Sequence, residues 1–236
     1  MLRIASKLSS LPYVDMSLHV MRSFGADATT IDPFTYHVST AQKYIGQKFQ
    51  IEGDASAATY FLAAAAIAEG RVRITNLSPD SLQGDLKFLS VLAEMGCKVL
   101  KHTNGIEING ARLRGVDVDM NEIPDCVPTL AIVAAFADGP TIITNVGQLR
   151  YKESDRLAAL SKELSKIGAR VELIDDGLAI HPQPLHGAEI ETYNDHRIAM
   201  SFAIAGLRVE GIVIKNPNCV SKSFPKFWDE FKKFQA

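Results

Sequence analysis

Residues 53–70, GDASAATYFLAAAAIAEG, contain an aspartate near their start, continue through an almost wholly apolar run and stop at a glycine. Two later stretches repeat this pattern, PDCVPTLAIVAAFADG at residues 124–139 and NDHRIAMSFAIAGLRVEG at residues 194–211. A helix that is apolar on every side has to be buried all round. The three stretches therefore predict a central bundle of buried helices.

The aspartates that lead these stretches are evenly spaced. Asp125 follows Asp54 by 71 residues, and Asp195 follows Asp125 by 70. Self-similarity at a fixed period is typical of a repeated structural unit. An aspartate at this position is expected to be the N-cap of the helix, where it accepts backbone N–H bonds and complements the helix dipole. Capping is a sufficient role for Asp54 and Asp195, whereas for Asp125 a chemical role remains open beside it.

A strand pattern and an amphipathic helix pattern follow each apolar stretch. The strands are RVRITNL, PTIITNV and IVIKNPN, and the helices lie in SLQGDLKFLSVLAEMG, KESDRLAALSKELSKIG and KSFPKFWDEFKKF. Two further strands, CKVLKHT and GIEINGA, complete the first unit. Because an amphipathic helix covers a surface, we expect an α/β fold in which sheets and amphipathic helices surround the bundle.

Residues 1–50 follow the same period but lack the apolar helix. MLRIASKL matches the strand of a unit, and YVDMSLHVMRSFG matches its amphipathic helix. We therefore expect residues 1–50 to be the tail of one domain and residues 51–236 to form a second one. The alternative is a divergent half-unit that caps the array, as terminal repeats often do.

Composition argues against several classes of protein. With 25 basic and 27 acidic residues the formal charge is −2, which gives no global attraction to nucleic acid or to an anionic membrane. The longest apolar run is far shorter than the roughly 20 residues needed to span a bilayer, and MLRIASKL lacks the apolar core of a signal peptide. The three cysteines have no CxxC spacing and the histidines no ligand spacing. We expect a cytoplasmic protein without a metal or a cofactor.

The stretch YKESDRLAALSKEL at residues 151–164 carries unusual charge for the start of a helix. Lys152, Glu153, Asp155 and Arg156 are predicted in or near the first turn, where Lys and Arg oppose the helix dipole. Lys152 and Arg156 are four residues apart, so they repel one another unless an anion lies between them. A solvated charge cluster and an anion site are both consistent with this spacing.

The third repeat favours the anion site. His196 and Arg197 stand at the start of the last buried helix, and Lys222 occupies the place in its unit that Lys152 holds in the preceding one. Helix N-termini with exposed N–H groups and nearby Lys and Arg bind phosphate and carboxylate groups. Several such termini pointing one way predict a local pocket for polyanions.

These residues carry a resemblance to a known family. The stretches LPYVD, EGDASAATYFLAAAAI, LQGD, DMNEIPD, YKESDRL, YNDHRIAM and KSFPKFW resemble the 5-enolpyruvylshikimate-3-phosphate synthases, in family order and over essentially the whole chain. The resemblance implies transfer of the enolpyruvyl group of phosphoenolpyruvate to the 5-hydroxyl of shikimate 3-phosphate, with release of phosphate. It also implies repeated βαβαββ units that form an inside-out α/β barrel, with buried apolar helices and outer sheets.

The resemblance further implies roles for single residues. Asp125 and Glu153 are the expected catalytic residues, with Asp125 favoured as the acceptor of the hydroxyl proton and Glu153 as the donor to carbon. The residues expected to bind phosphoenolpyruvate are Arg156, His196, Arg197 and Lys222. The residues expected to bind shikimate 3-phosphate are Ser10, Tyr13, Asp125, Gln148 and Lys152. Gln148 stands where the family usually has asparagine, and its amide still donates and accepts hydrogen bonds.

The family's complete chains are nearly twice this length, and this sequence resembles their later half. We expect its partners to be small anionic substrates and a complementary N-terminal half chain, and we expect this chain alone to be inactive or nearly so, because a half pocket loses pre-organisation and closure. Two alternatives remain. One is the related UDP-N-acetylglucosamine enolpyruvyl transferase, which shares the fold. The other is a non-catalytic half that binds ligand, or a subunit of a split enzyme.

Overall fold

The computed structural model describes residues 1–6 and 8–234. Its α-helices are α1 (Leu11–Ser23), α2 (Ala55–Ile67), α3 (Phe88–Glu94), α4 (Val127–Ala135), α5 (Arg156–Lys166), α6 (His196–Ala205) and α7 (Phe227–Phe231). Its strands are β1 (Leu2–Arg3), β2 (Ala28–Asp32), β3 (Thr35–Val38), β4 (Arg71–Ile74), β5 (Lys98–His102), β6 (Gly105–Asn109), β7 (Asp117–Asp119), β8 (Thr141–Thr144), β9 (Arg170–Ile174), β10 (Gly177–His181), β11 (Glu189–Ile190) and β12 (Val213–Ile214). Short 3-10 turns lie at Gly84–Lys87, Pro124–Cys126, Gly147–Tyr151, Pro217–Lys222 and Lys232–Phe234.

The sheets repeat one topology, as the sequence period predicted. Three of them have the order β1-β3-β2, β4-β6-β5 and β8-β10-β9, so the last strand of each unit lies between the first two. These pairings are antiparallel. A further strand before the apolar helix pairs in parallel, β7 with β8 and β11 with β12. The elements from β7 to β10 therefore form one complete βαβαββ unit, which confirms the expected repeat.

The three apolar helices form the centre of the protein. Helices α2, α4 and α6 pack against one another, and every residue of α4 is buried. The Thr129 and Ser201 hydroxyls lie 3.3 Å apart between α4 and α6, so each satisfies the other inside the apolar bundle. Sheets and amphipathic helices cover this bundle from outside, as an inside-out α/β arrangement requires. The prediction of buried apolar helices with outer sheets is confirmed.

Two glycines at equivalent positions of the repeat let neighbouring strands approach one another closely. Gly105 begins β6 and Gly177 begins β10, and a Cβ atom at either position would collide with a backbone carbonyl of the neighbouring strand, that of Ile74 or Ile143. Only glycine permits so close an approach of two backbones. The period in the sequence thus extends to single backbone contacts.

Residues 1–6 and 8–38 form a small layer with its own apolar cluster. Leu18, Ala28 and Tyr36 are its buried members, separate from the main core. Helix α1 covers the predicted stretch, whereas β1 comprises only Leu2 and Arg3 of the strand predicted over MLRIASKL. Several large apolar side chains of this layer are exposed, among them Leu2, Ile31 and Phe34, as are Tyr44 and Ile45 in the segment that follows it.

The amphipathic helices are shorter than predicted in the first and last full units. In the first, a 3-10 turn at Gly84–Lys87 precedes α3. In the last, α7 spans only Phe227–Phe231 of the predicted stretch, because Pro225 cannot continue a preceding turn. Within residues 1–6 and 8–234, no helix is both long enough and apolar enough to cross a membrane.

Candidate active site

The candidate site lies where the N-terminal ends of the three apolar helices meet. Arg197, in the first turn of α6, donates from Nη2 to Asp125 Oδ2 at 3.0 Å, just ahead of α4. Its Nη1 lies 3.4 Å from Tyr60 Oη on α2. Exposed N–H groups and the positive ends of helix dipoles collect at such a place. The fold therefore presents a natural anion-binding end of the bundle.

Arg156 is the centre of this site and is only 1% exposed. Its Nε donates to Asp195 Oδ2 at 2.8 Å, its Nη1 to Asp125 Oδ1 at 2.9 Å and its Nη2 to Glu153 Oε2 at 2.6 Å. Nη2 also lies 3.4 Å from Asp195 Oδ1. A planar guanidinium with forked donors suits such multiple recognition. One buried side chain thus ties together carboxylates from three separate parts of the sequence.

Asp125 is not a helix cap, so that prediction is wrong. The residue lies in the 3-10 turn Pro124–Cys126, and its side chain makes no capping bond. It is instead the meeting point of three cations, at 2.9 Å from Arg156, 3.0 Å from Arg197 and 3.4 Å from Lys152. Burial opposes its ionisation, but Arg197, Lys152 and Arg156 together hold the pKa of this carboxyl below its ordinary value. Asp125 is therefore ionised at neutral pH.

We predicted Lys152, Glu153, Asp155 and Arg156 in or near the first turn of a helix, and this holds for Arg156 and for the capping Asp155, whereas Lys152 and Glu153 precede α5. Helix α5 begins at Arg156, because Asp155 is its N-cap and accepts a hydrogen bond from Ala158 N. Lys152 precedes it in extended conformation. An anion does lie between Lys152 and Arg156, as their spacing predicted, but that anion is the carboxylate of Asp125. Since Arg156 is buried, the alternative of a solvated charge cluster is wrong.

Glu153 lies between two cations. Arg156 contacts its Oε2, and Lys222 Nζ contacts its Oε1 from the end of the Pro217–Lys222 turn. Partial burial opposes ionisation, but the bonds from Lys222 and the charges of Arg156 and Lys222 prevail and lower the pKa of Glu153 to about 2. Lys222, which the register of the sequence makes the equivalent of Lys152, therefore joins the third repeat to the segment of the second.

His196 is buried beside this network. Its Nδ1 lies 3.7 Å from Asp195 Oδ1, which is beyond hydrogen-bond distance, and this nitrogen has no hydrogen-bond partner among the described residues. Burial, and next the charge of Arg197, lower the pKa of His196 below its ordinary value. The imidazole is thus held neutral at pH 7 with one polar atom unsatisfied.

Asp195 caps α6 as predicted, but capping is only part of its role. Its carboxylate accepts from Arg197 N at 2.9 Å, from Ser154 Oγ at 3.0 Å and from Arg156 Nε. The side chain is fully buried. Nothing in the local pattern around Asp195 distinguished it from Asp54, which is exposed and only caps α2.

The residues expected to bind shikimate 3-phosphate line a neighbouring cavity in part. A cavity of about 370 Å³ has Tyr13, Ser56, Asp85, Asp125 and Arg197 in its wall. Tyr13 Oη donates to Asp85 Oδ2 at 3.2 Å, and burial together with Asp85 raises the pKa of this phenol above its ordinary value. This cavity joins helix α1 to the carboxylate and cation cluster.

Ser10 and Gln148 are not joined to the cluster by any hydrogen bond or ion pair that the described residues make. Ser10 is the residue before α1, and its backbone N–H donates to Asn121 O at 3.2 Å. Gln148 lies in the Gly147–Tyr151 turn, and its Nε2 is buried without a hydrogen-bond partner. Both residues are close in sequence to site residues, but among the described residues their side chains make no bond to the cluster.

Asp85 and Ser56 are site residues that pattern reasoning missed. Asp85 is 3% exposed, its Oδ2 accepts from Ser56 Oγ, and its Oδ1 has no partner among the described residues. Burial raises the pKa of this carboxyl above its ordinary value. The signal was present, because Asp85 ends the stretch LQGD and Ser56 follows the capping Asp54, but neither has a distinctive spacing.

Metal chemistry has no ready site in the part of the chain that the structure describes, since no group of three His, Cys, Asp or Glu side chains is placed to hold an ion. The cluster offers instead four cations, Lys152, Arg156, Arg197 and Lys222, around three carboxylates. This arrangement can bind a small polyanion while keeping two carboxylates beside it for proton transfer.

Comparison with known proteins gives one consistent result. Residues 1–231 match the family model of EPSP synthase (3-phosphoshikimate 1-carboxyvinyltransferase). The 3-phosphoshikimate 1-carboxyvinyltransferase of Trichormus variabilis is 45% identical over 233 residues, which are 98% of this chain and 55% of that protein. The enzyme of that name from Yersinia ruckeri is 45% identical over 238 residues, 100% of this chain and 56% of the relative. The chain thus spans about half the length of the curated relatives it matches.

Solved structures agree with the fold. An EPSP synthase from Acinetobacter baumannii superposes with a TM-score of 0.79 at 29% identity, over 90% of this chain and 52% of that one. The enolpyruvyl transferase NikO from Streptomyces tendae gives a TM-score of 0.76 over 96% of this chain and 53% of that one. At 23% identity the second likeness concerns the fold alone.

Proposed function

The chain belongs to the EPSP synthase family, and on that premise we propose that it supplies part of the active site for enolpyruvyl transfer. In this reaction the 5-hydroxyl oxygen of shikimate 3-phosphate bonds to C2 of phosphoenolpyruvate while C3 takes up a proton. C3 then gives up a proton, the C2–O bond to phosphate breaks, and the C2=C3 double bond re-forms as phosphate leaves. The observation that carries the proposal is the Arg156 cluster, in which two ionised carboxylates lie among four cations. Family membership also sets aside the UDP-N-acetylglucosamine enolpyruvyl transferase alternative.

Asp125 suits the role of proton acceptor. Three cations keep its carboxylate ionised, and it borders the cavity that Tyr13 also lines. In the proposed step the hydroxyl proton passes to Asp125 as the new C–O bond forms. Arg197 then stabilises the Asp125 carboxyl group and binds the phosphate or carboxylate group of phosphoenolpyruvate. Asp125 is therefore ionised, as a proton acceptor has to be, before the anionic substrates bind.

Glu153 suits the role of proton donor to C3, but only after ligand binding. With a pKa of about 2 it holds no proton at neutral pH in the ligand-free site. Lys222 and Arg156 are the cations that hold it ionised, and both are proposed ligands of phosphoenolpyruvate. An anion that draws these cations away raises the pKa of Glu153. Binding of phosphoenolpyruvate would therefore prepare the acid that the addition step requires.

The remaining proposed contacts follow from position. His196 lies buried beside Arg197, ready to donate or accept a hydrogen bond at the anion. Tyr13 lines the cavity, and Lys152 lies 3.4 Å from the Asp125 carboxylate. Ser10 and Gln148 are proposed to contact shikimate 3-phosphate because their positions match those of the family. Arg156 engages three carboxylates in the ligand-free protein, so we propose that it orders them first and shares its charge with phosphoenolpyruvate second.

We also propose that residues 1–50 and 51–236 belong to different domains. In support, residues 1–38 have a separate apolar cluster and a sheet of their own. Their uncovered apolar side chains suit packing against further protein of that domain. The cavity that Tyr13 and Asp125 line lies where α1 meets the proposed second domain. Sites that close on their substrates commonly lie between domains.

Activity of the whole enzyme is proposed to require more than this chain. The curated relatives are almost twice as long, and we expect their unmatched half to provide further cations and closure, either in one polypeptide or as a separate chain. A cytoplasmic location is proposed as well, since Cys97, Cys126 and Cys219 are all unpaired.

The test measures phosphate release from phosphoenolpyruvate and shikimate 3-phosphate. The purified chain is assayed alone and after mixing with a separately produced half that corresponds to the unmatched part of the Trichormus variabilis relative. We expect turnover only in the mixture. Turnover by this chain alone would contradict the requirement for a second half. A well-folded mixture that binds both substrates without turnover would favour the alternative of a non-catalytic ligand-binding half.

A further inference from the structure

Helix α5 carries a buried carboxylate that the reaction above does not use. The side chain of Glu163 is fully buried, where an ionised group is unfavourable unless its oxygens are satisfied. Tyr193 Oη donates to Oε1 at 2.6 Å, the backbone N–H of Glu191 donates to Oε2 at 3.0 Å, and Lys166 Nζ donates to Oε2 at 2.6 Å. Two of these three partners belong to one short segment immediately ahead of α6.

That segment contains an unusual turn. Asp195 N donates to Thr192 O at 2.8 Å, and the two residues between them, Tyr193 and Asn194, have φ angles of 54° and 55°. Asparagine tolerates this left-handed conformation, but it is rare and strained for a tyrosine. Such a conformation persists only when surrounding contacts impose it. The bond from Tyr193 to Glu163 is one of those contacts, and the bond from Asn216 to Asn194 is another.

The turn leads directly into the candidate site. Its last residue is Asp195, which Arg156 binds, and Arg197 follows two residues later and binds Asp125. Arg156 and Glu163 are seven residues apart on α5, so they project from the same face two turns apart. Helix α5 thus holds residues 191–195 at two points, one at each end of the turn.

We propose that Glu163 is a positioning residue, which through Tyr193 keeps the turn in the conformation that places His196 and Arg197 at the site. The inference deepens the proposed function and rests on it for the reaction, though not for the geometry. A purely structural role would lower stability without altering the surroundings of His196 or the kinetics. The experiment has to separate these two effects.

Three variants make this separation. Tyr193→Phe removes a single oxygen and leaves the ring in place, and Glu163→Leu removes both bonds to the turn. Lys166→Met is the matched control, because it removes the third partner of the same buried carboxylate without touching the turn. Each is measured for stability in urea, and the ring of His196 is titrated by NMR, with its signal assigned from a His196→Gln protein. The kcat/KM for phosphate release is measured in the mixture with the complementary half.

Tyr193→Phe and Glu163→Leu are expected to raise the pKa of His196 toward its ordinary value, because a loosened turn exposes the ring. They are also expected to lower kcat/KM by about 10- to 100-fold, the factor for loss of a hydrogen bond to a charged group. Lys166→Met is expected to lower stability alone. The inference is overturned if Tyr193→Phe leaves both readouts at their wild-type values, or if Lys166→Met moves them as far. If the wild-type mixture shows no turnover, the proposed function fails while the His196 titration still decides the role of Glu163.

Discussion

Replacement of Arg156 by methionine tests whether this residue organises the site. The substitution keeps an unbranched side chain of similar reach in a buried position but removes every donor. Asp195, itself fully buried, loses the guanidinium that lies 2.8 Å away, and Asp125 and Glu153 each lose one partner. Three carboxylates then remain together with less positive charge among them. The protein is expected to fold with reduced stability.

The size of the effect follows from which carboxylates keep other partners. Asp125 retains Arg197 and Lys152, and Glu153 retains Lys222. The energies of the four contacts that Arg156 loses are therefore not additive. Asp195 retains only the neutral donors Ser154 Oγ and Arg197 N, and breaking a buried pair at one partner costs about 3–5 kcal/mol. We therefore expect Arg156→Met to lower the free energy of unfolding by about 3–5 kcal/mol at pH 7.5. Arg156→Lys keeps the charge but not the fork, and a smaller loss is expected.

The loss is also expected to depend on pH. In the folded protein Asp125 and Glu153 have pKa values below their ordinary values, 3.8 and 4.5. Their ionisation therefore stabilises the fold above those ordinary values, and this contribution disappears as the pH falls toward the lowered pKa, about 2 for Glu153. Without Arg156 both pKa values lie higher and the contribution is smaller. The difference between wild type and variant should thus be largest at neutral pH, and it should shrink only as the pH falls below the pKa values that the two carboxyls have in the folded variant, toward about 2 for Glu153.

Urea unfolding followed by circular dichroism, at pH 7.5 and pH 3, measures both quantities. Arg150→Met is the matched control, since Arg150 forms a half-exposed pair with Asp155 in the same segment, 3.5 Å apart. Such a pair contributes less than about 1 kcal/mol. The reasoning is refuted if Arg156→Met costs no more than Arg150→Met, or if its cost is the same at both pH values.

Three further outcomes are expected. Lys222→Met should raise the pKa of Glu153 from about 2 toward its ordinary value, as measured by NMR titration of the carboxyl carbon, and an unchanged pKa would exclude the Lys222 contact in solution. Asp125→Asn should lower kcat in the mixture with the complementary half by about 10²–10⁴-fold; a kcat within a few-fold of wild type would remove it from proton transfer. Gly177→Ala should lower the free energy of unfolding by about 1–3 kcal/mol through its collision with a backbone carbonyl. Gly70→Ala, which meets no atom within 4 Å, should change it little, and equal losses from both would contradict the packing argument.

The repeat could be predicted from the sequence because it rests on local chemistry. Burial of an all-apolar helix and the surface position of an amphipathic one are properties of residue order. The separations of 71 and 70 residues between the leading aspartates therefore gave the bundle, the outer sheets and the equivalence of Lys152 with Lys222. The crowding of charge at residues 151–156 likewise pointed to an anion site. Helix boundaries were less certain, since caps such as Asp155 compete with neighbouring residues for the same role.

Only the tertiary structure decided what each charged residue contacts. Asp54, Asp125 and Asp195 look alike in the sequence, yet one is an exposed cap, one binds three cations and one is a buried cap paired with Arg156. The guanidinium groups that bind Asp125 and Asp195 lie 31 to 72 residues away along the chain, a distance over which no local pattern acts. Glu163 appears in the sequence as an ordinary residue of an amphipathic helix, and its role follows from the turn that packs against it. Residue order thus determined which segments form buried helices, surface helices and strands. The packing of distant segments determined the ion pairs and pKa values of the site, because electrostatic interactions depend on distance in space and on burial.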